Sequence, residues 1–304
     1  MRILLLIAIG ACLATSSARA QAPAAGPLVL LLPASTRAAS LGDAWVAGRD
    51  DYSIFYNPAQ IAPTNSIGAS FARYDWNGTA GAIASAVSVG TLTYGWGVEV
   101  VEFKAGTQAA YPFTPEVLVE RGTRSALSLV AGGGASYLFK GFRTGAALKY
   151  AEDRVEGSSS GGSATSSLLH GVLLGDVGIS HPGLSGTVAL AVQNIGERGS
   201  VRLPTRTTLG WAAQIPVGEF DLGVTAQVSE RNKWIGGGGG VEAGYGWIEG
   251  WSVVARAGAH NTEASGQRPF TMGGSLNADR LVLDYALELF EHNQFVHHIA
   301  FRWR

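Results

Sequence analysis

The stretch that decides the fold is Arg280-Leu-Val-Leu-Asp-Tyr-Ala-Leu-Glu-Leu-Phe290, near the end of a chain of 304 residues. Its leucines and its tyrosine occupy alternate positions, and Asp284, Ala286 and Glu288 stand between them. Successive side chains of a β-strand point to opposite faces, so the alternation predicts a strand with one apolar and one polar or small face. The stretch is longer than the ~5–6 residues usual in soluble strands and matches the ~9–11 that a tilted strand needs to cross a membrane.

The same alternation recurs along the rest of the chain in segments of similar length. Fourteen candidate strands are predicted at residues 66–75, 80–89, 91–103, 125–139, 141–153, 167–180, 184–195, 204–216, 219–230, 236–248, 251–262, 269–278, 280–290 and 294–304. Short links alternate with longer ones, as in barrels with short periplasmic turns and longer outer loops. The prediction is an all-β protein, a transmembrane 14-stranded antiparallel up-and-down β-barrel over residues 66–304, with both termini in the periplasm.

The composition agrees with a membrane barrel and excludes some functions. The chain has 42 glycines, 15% charged residues and a net charge of −1. Near-zero charge without a basic run gives no attraction to nucleic acid, so we expect no nucleic-acid partner. No apolar run after the N-terminus approaches the ~18 residues of a membrane helix, which leaves a closed barrel as the membrane-spanning solution.

The first twenty residues predict a cleavable signal peptide. Arg2 supplies a positive start, Ile3–Leu13 an apolar core, and Ala18-Arg19-Ala20 a small-x-small cleavage site. Export to the outer membrane of a Gram-negative-type cell is therefore expected. An alternative remains open, in which Cys12, the chain's one cysteine, is a lipoprotein site.

Residues 21–65 do not alternate, and we expect them to form an N-terminal hatch that plugs the barrel lumen. A periplasmic tail is the alternative. The residues that characterise the segment are Arg37, Gly42, Asp50, Asp51, Asn57, Pro58 and Ala59.

These residues, in this order, resemble the hatch signature of the FadL-like outer-membrane superfamily, and especially its PorV/PorQ branch. Further matches lie at residues 192–196, 203–204, 240–242, 284–286 and 298–302. The resemblance implies a fourteen-stranded barrel with an N-terminal hatch, the strand number that periodicity also predicts. The chain departs from the pattern in being short for PorV and in ending with Arg304 instead of an aromatic residue.

Charged side chains in the inward phase of the strands are the candidate lumen residues. They are Glu99, Arg143, Lys149, Asp176, Arg206, Asp221, Glu242, Arg256, Asp284, Glu288 and Arg302. Buried charges need partners, so we expect Glu242 and Asp284 to pair with arginines such as Arg256 and Arg302.

The sequence contains no constellation that points to an enzyme, a metal site or a cofactor. His297 and His298 point to opposite faces of one strand and cannot chelate a metal together. The Gly236–Gly240 run lacks the lysine of a phosphate-binding loop and is interpreted as close packing or relief of strand twist.

Two functions follow from the resemblance. The PorV/PorQ branch implies an accessory of type IX-like protein secretion, with exported proteins or secretion components as partners. FadL implies a passive transporter of hydrophobic small molecules. Outer-membrane lipid is a partner in both.

Overall fold

The computed structural model describes residues 27–64, 66–74, 78–104, 123–158, 165–196, 203–231, 233–261, 267–290 and 294–303. The predicted signal peptide, Cys12 and most of the longer connections lie outside these ranges. None of the described helices has the length and apolarity of a membrane-spanning helix.

The described residues form a closed antiparallel barrel of fourteen strands, as the sequence predicts. The strands are β1 Ile67–Tyr74, β2 Gly78–Val89, β3 Leu92–Lys104, β4 Thr123–Phe139, β5 Phe142–Ser158, β6 Thr165–Gly183, β7 Gly186–Gly196, β8 Arg206–Val217, β9 Phe220–Arg231, β10 Trp234–Ile248, β11 Trp251–His260, β12 Gln267–Ala278, β13 Leu281–Phe290 and β14 Phe295–Trp303. Each strand pairs with its neighbours in the chain, and β1 pairs with β14 from Ile67↔Trp303 to Tyr74↔Val296. No strand edge is left open, which is the requirement for a β-structure in lipid.

One end of the barrel carries six two-residue connections, and we call it the turn end. β1 begins and β14 ends at this same end. The β4–β5 turn has positive φ at both Lys140 and Gly141, the conformation that matches the twist of the flanking strands. The opposite end, the loop end, carries the longer connections.

The strand faces have the predicted phase. On β13, Leu283 and Tyr285 are exposed on the outer face, whereas Asp284 and Ala286 are buried toward the lumen. Outer side chains such as Leu148 and Leu173, 65% and 64% exposed, are large and apolar around the whole wall. The barrel therefore has an apolar exterior and an interior in which small, apolar and polar side chains are mixed.

The hairpin of β5 and β6 extends several residues further than predicted. β5 reaches Ser158 and β6 begins at Thr165, and these two residues still pair. The predicted strands ended at residue 153 and began again at residue 167. Backbone pairing needs no apolar alternation, so the paired strands reach Ser158 and Thr165.

Residues 27–64 contain one α-helix, α1 Thr36–Ser40, and the 3-10 helices Leu28–Leu30, Asp51–Phe55 and Pro58–Gln60. Ser35 caps α1 by accepting a hydrogen bond from the Ala38 amide. Asp50 and Ser53 form a reciprocal capping box on the second 3-10 helix.

Candidate functional site

The candidate site is the contact between residues 27–64 and the inner face of the barrel. Helix α1 packs on β11 to β14, and the 3-10 helix Pro58–Gln60 packs on β4 to β6. A segment that touches such distant strands is enclosed by the wall. Most of its residues are buried.

Close packing of backbone on backbone fixes the first part of the segment against β10 and β11. A Cβ atom added to Gly238 would lie 2.2 Å from the Gly42 carbonyl oxygen, and one on Gly258 would lie 2.3 Å from the Gly42 nitrogen. Gly42 itself has φ +65°, a conformation that favours glycine. The prediction that the Gly236–Gly240 run serves close packing is confirmed at Gly238.

Inward polar side chains bind the backbone of this part of the segment. Thr271 Oγ1 accepts from the Gly42 amide at 3.1 Å, and Thr225 Oγ1 donates to the Ala44 carbonyl at 2.7 Å. Gln227 does both: its Oε1 accepts from the Trp45 amide at 3.1 Å, and its Nε2 donates to the Asp43 carbonyl at 2.8 Å. The backbone N–H and C=O groups of this irregular part thereby find hydrogen-bond partners, although it pairs with no strand.

The Asn-Pro-Ala motif docks on the opposite part of the wall. Asn57 Oδ1 accepts from the Ala59 amide at 3.0 Å, and Asn57 Nδ2 donates to the Val46 carbonyl at 2.8 Å. A Cβ on Gly145 of β5 would lie 2.3 Å from the Pro58 carbonyl carbon, and one on Gly178 of β6 would lie 1.9 Å from Asn57 Oδ1. Asn57 and Ala59 are fully buried.

Three ion pairs join the segment to strands. Arg37 pairs with Glu242 at 2.5 Å and Asp51 with Arg302 at 2.9 Å. The Asp43–Arg206 pair is longer, at 3.3 Å, and each side chain is about a quarter to a third exposed. The guanidinium of Arg37 also lies over the Trp45 ring, 4.7 Å from its centroid.

Of the two wall arginines that were expected to pair with Glu242 and Asp284, one does so and the other has a different partner. Arg256 pairs with both Glu242, at 3.1 Å, and Asp284, at 2.8 Å. Arg302 was expected to serve the same acids, but its ion pair is with Asp51 of the N-terminal segment. Periodicity assigned Arg302 to the lumen face and said nothing of where Asp51 would lie.

The other lumen candidates occupy several separate places. Asp176 pairs with Lys149 at 2.6 Å, and Asn194 bonds to both where β7 bulges. Glu288 bonds to His298 at 2.8 Å. Glu99 is buried near Lys149. Within the described ranges, the side chains of Arg143 and Asp221 form no ion pair or hydrogen bond, and Asp221 is exposed at the turn end.

Burial governs the ionisation of Asp51. The carboxyl group is inaccessible to solvent, and loss of hydration, with the nearby Asp50 carboxylate, raises its pKa from 3.8 to about 6. Arg302 acts in the opposite direction and only partly offsets the burial. Asp51 therefore changes charge in the mildly acidic range.

Two cavities lie on either side of the segment. The loop-end cavity, about 100 Å³, is lined by Leu31, Leu32, Tyr74, Trp234 and Phe290, among others, and by Gly42 and Asp43. The turn-end cavity, about 530 Å³, is lined by Leu41, Trp45 and Arg49 of the segment and by residues of β7 to β10. Residues 39–43, which we call the partition, stand between them.

Sequence reasoning missed the neutral residues that hold the segment. Thr225, Gln227 and Thr271 all bind its backbone, yet only charged side chains were considered as lumen candidates. Their inward phase was readable for Thr225 and Gln227, which alternate with Val224, Ala226 and Val228. An inward amide or hydroxyl on a strand is thus a usable sign of an enclosed segment.

Comparisons with known proteins show the fold. The toluene transporter TbuX of Ralstonia pickettii matches with a TM-score of 0.58 and 12% identity, over 88% of this chain and 97% of that one. The toluene transporter TodX of Pseudomonas putida matches at 0.54 and 12%, over 87% and 95%. The monoaromatic hydrocarbon channel CymD matches at 0.54 and 10%, over 92% and 97%. No family model and no curated protein matches the chain.

At these identities the matches show the barrel fold alone. They do not show the PorV/PorQ branch.

Proposed function

We propose that this protein is an outer-membrane channel for passive entry of hydrophobic small molecules, with residues 27–64 as its hatch. The observation that carries the proposal is the pair of cavities divided by the partition, inside a fold shared with toluene transporters. Displacement of a few residues would join the two cavities. Secretion partners, implied by the PorV/PorQ resemblance, have no support in the comparisons and stay a prediction.

The exterior of the barrel supports the membrane location. Large apolar side chains on the outer face are about half exposed on every side, among them Phe71, Trp96, Leu209 and Phe301. A soluble protein rarely exposes apolar surface of this extent. Lipid is the solvent that such a surface requires.

The loop-end cavity supports a hydrophobic ligand. Its aromatic and aliphatic lining is supplied both by the wall, through Trp234 and Phe290, and by the segment, through Leu31 and Leu32. Charged and polar side chains, among them Arg206, Arg231 and Glu288, line the rest of the cavity. The segment thus contributes to the site that it closes.

The proposal is tested by uptake of radiolabelled toluene into Gram-negative cells that lack hydrocarbon channels of their own. We expect the chain to raise the initial rate several-fold above cells carrying an empty vector. Ser229 is buried and lines the loop-end cavity, so Ser229→Trp should fill it and abolish the gain. Its neighbour Val228 is 47% exposed on the outer face, and Val228→Trp is the matched control that should retain uptake.

Gel mobility with and without heating shows whether each variant has assembled its barrel. Uptake by the parent chain no faster than the empty vector would refute the channel. Equal loss in both assembled tryptophan variants would show that the loop-end cavity is not on the route.

A further inference from the structure

A third cavity, of about 40 Å³, lies between the N-terminal segment and the wall from β3 to β8, and we call it the small cavity. Glu99 of β3 lines it. This residue is only 3% exposed, and among the described residues no group forms a hydrogen bond or an ion pair with its carboxylate. A buried carboxylate without a partner is costly. Glu99 therefore faces a cavity where a partner would be expected.

The basic side chains that line the small cavity are already paired with other acids. Lys149 Nζ lies 2.6 Å from the Asp176 carboxylate, and Arg206 Nη1 lies 3.3 Å from that of Asp43. Together with Glu99 these side chains are three acids and two bases, so the group carries a net charge of −1 when all are ionised. The surplus negative charge is that of Glu99.

The bulge in β7 fixes Lys149 on its partner. Asn194, with φ +57°, stands in the bulge opposite Asp176. Its Oδ1 accepts from Lys149 Nζ at 3.0 Å, and its backbone amide donates to Asp176 Oδ1 at 2.8 Å. Bulges commonly re-aim a side chain in this way. Lys149 is thus held by two partners and forms no ion pair with Glu99.

The small cavity adjoins the loop-end cavity. Leu31, Leu32, Asp43 and Arg206 line both, so no more than these side chains separate the two spaces. Asp43 also offers a second acceptor, because its Oδ1 is buried and accepts no hydrogen bond from the described residues. A ligand at this boundary would meet two carboxylates on one side and the aromatic and aliphatic lining of the loop-end cavity on the other.

We propose that Glu99 and Asp43 bind the ammonium group of a small primary amine, whose apolar body lies in the loop-end cavity. An ammonium group has three N–H donors and one positive charge, which match two acceptors and one surplus negative charge. Arg231 and Glu288 line the loop-end cavity only, and their opposite charges leave that surplus unchanged. The site rests on the proposed function in using the loop-end cavity for the apolar body, and it adds a cationic class of ligand to hydrophobic passage.

The test is calorimetric titration of the folded full chain in an uncharged detergent with benzylamine, which is cationic at neutral pH. We expect saturable binding, and Glu99→Gln should weaken it about tenfold, the loss expected for one charge-assisted hydrogen bond. Glu102→Gln is the matched control, because Glu102 lies on the same strand and is exposed on its outer face. This variant should bind benzylamine as the parent does.

Three further ligands identify the group that is recognised, and they need no variant. Benzyl alcohol has the same body without the charge, benzoate carries the opposite charge, and ammonium chloride supplies the cation without a body. Each should bind the parent at least tenfold more weakly than benzylamine. Equal affinity for benzyl alcohol or benzoate would overturn the site, and equal affinity for ammonium chloride would overturn the amine as its ligand.

Thermal melting in detergent gives a second readout. Without ligand, Glu99→Gln should melt at a higher temperature than the parent, because it removes an unpaired buried charge. A lower melting temperature would show that the folded protein already supplies a partner for Glu99, and it would overturn the site.

The outcomes separate this site from the channel. Because binding is measured in detergent, absence of toluene uptake would refute the channel and not the amine site. Absence of benzylamine binding, or equal binding by the parent and Glu99→Gln, in a chain that takes up toluene would refute the amine site alone.

Discussion

The N-terminal segment docks on the wall at two places, which share the same kind of packing and differ in their surroundings. At each, segment backbone packs on wall glycines: Gly42 on Gly238 and Gly258, and Asn57-Pro58 on Gly145 and Gly178. The segment residues are buried at both docks: Asn57 and Ala59 at one, Leu41 and Ala44 at the other. The Gly42 dock lies between two cavities, beside ion pairs whose arginines are about a quarter exposed.

This difference indicates which end of the segment is fixed and which can move. A dock away from these cavities opens only when several contacts are lost at once, whereas one beside them can exchange its bonds for water. We therefore regard the Asn57 dock as the anchor and the partition as the movable part.

The largest expected effect concerns Asp51, which lies between the two docks. Its folded-state pKa is raised, so the folded protein binds a proton more tightly than the unfolded chain. The stability from this proton is fully present below about pH 4 and is lost as pH rises through about 6; a pKa of about 6 against 3.8 corresponds to about 3 kcal/mol.

Urea unfolding in detergent micelles from pH 4 to pH 8 measures this effect. The difference in unfolding free energy between the parent and Asp51→Asn should fall by about 3 kcal/mol across that range. Asp221→Asn, at an exposed aspartate, is the control and should show little change. A pH-independent difference for Asp51→Asn would contradict the assignment.

The second prediction concerns a bulkier residue at the anchor. In Gly145→Ala the new methyl group would meet the Pro58 backbone, which cannot move aside without the whole dock. We expect a loss of about 3 kcal/mol in unfolding free energy, the upper part of the range for overpacked sites. Gly133→Ala on β4 is the control, because its Cβ would lie 3.6 Å from the nearest atom and cost little. Equal stability of the two variants would mean that the Asn57 dock is not a fixed anchor.

The sequence predicts one half of each dock, the strand, and does not predict the other half, the partner in the N-terminal segment. The strands that carry Gly145, Gly178, Gly238 and Gly258 follow from period two, which is a local property of the sequence. The partners of these glycines do not, because the N-terminal segment has no period and reaches strands far along the chain. The resemblance singled out Gly42 and Asn57 as motif residues, and only the structure shows what each one touches.

The third prediction concerns a bulkier residue in the partition. In Gly42→Ala the methyl group would meet the Ala259 carbonyl oxygen at 2.4 Å, and alanine would adopt a left-handed conformation. If the partition is movable it shifts away from β11, and the cost stays near the ~1 kcal/mol of the backbone conformation. The same shift should speed toluene uptake. A loss of stability as large as that of Gly145→Ala, without faster uptake, would remove the distinction between the two docks.

The smallest effect is expected at the ion pair that holds α1 to the wall. Arg37→Gln removes the pair with Glu242 and the contact with Trp45, but Glu242 keeps Arg256 as a partner, so no buried charge is left alone. Because the Arg37 side chain is 28% exposed, we expect the unfolding free energy to fall by no more than about 1 kcal/mol. Amide hydrogen exchange locates the change: it should become faster at residues 38–45 and stay unchanged at 57–61 if the anchor holds independently. Faster exchange at both docks would show that the segment moves as one body, and the partition would then not be a separate gate.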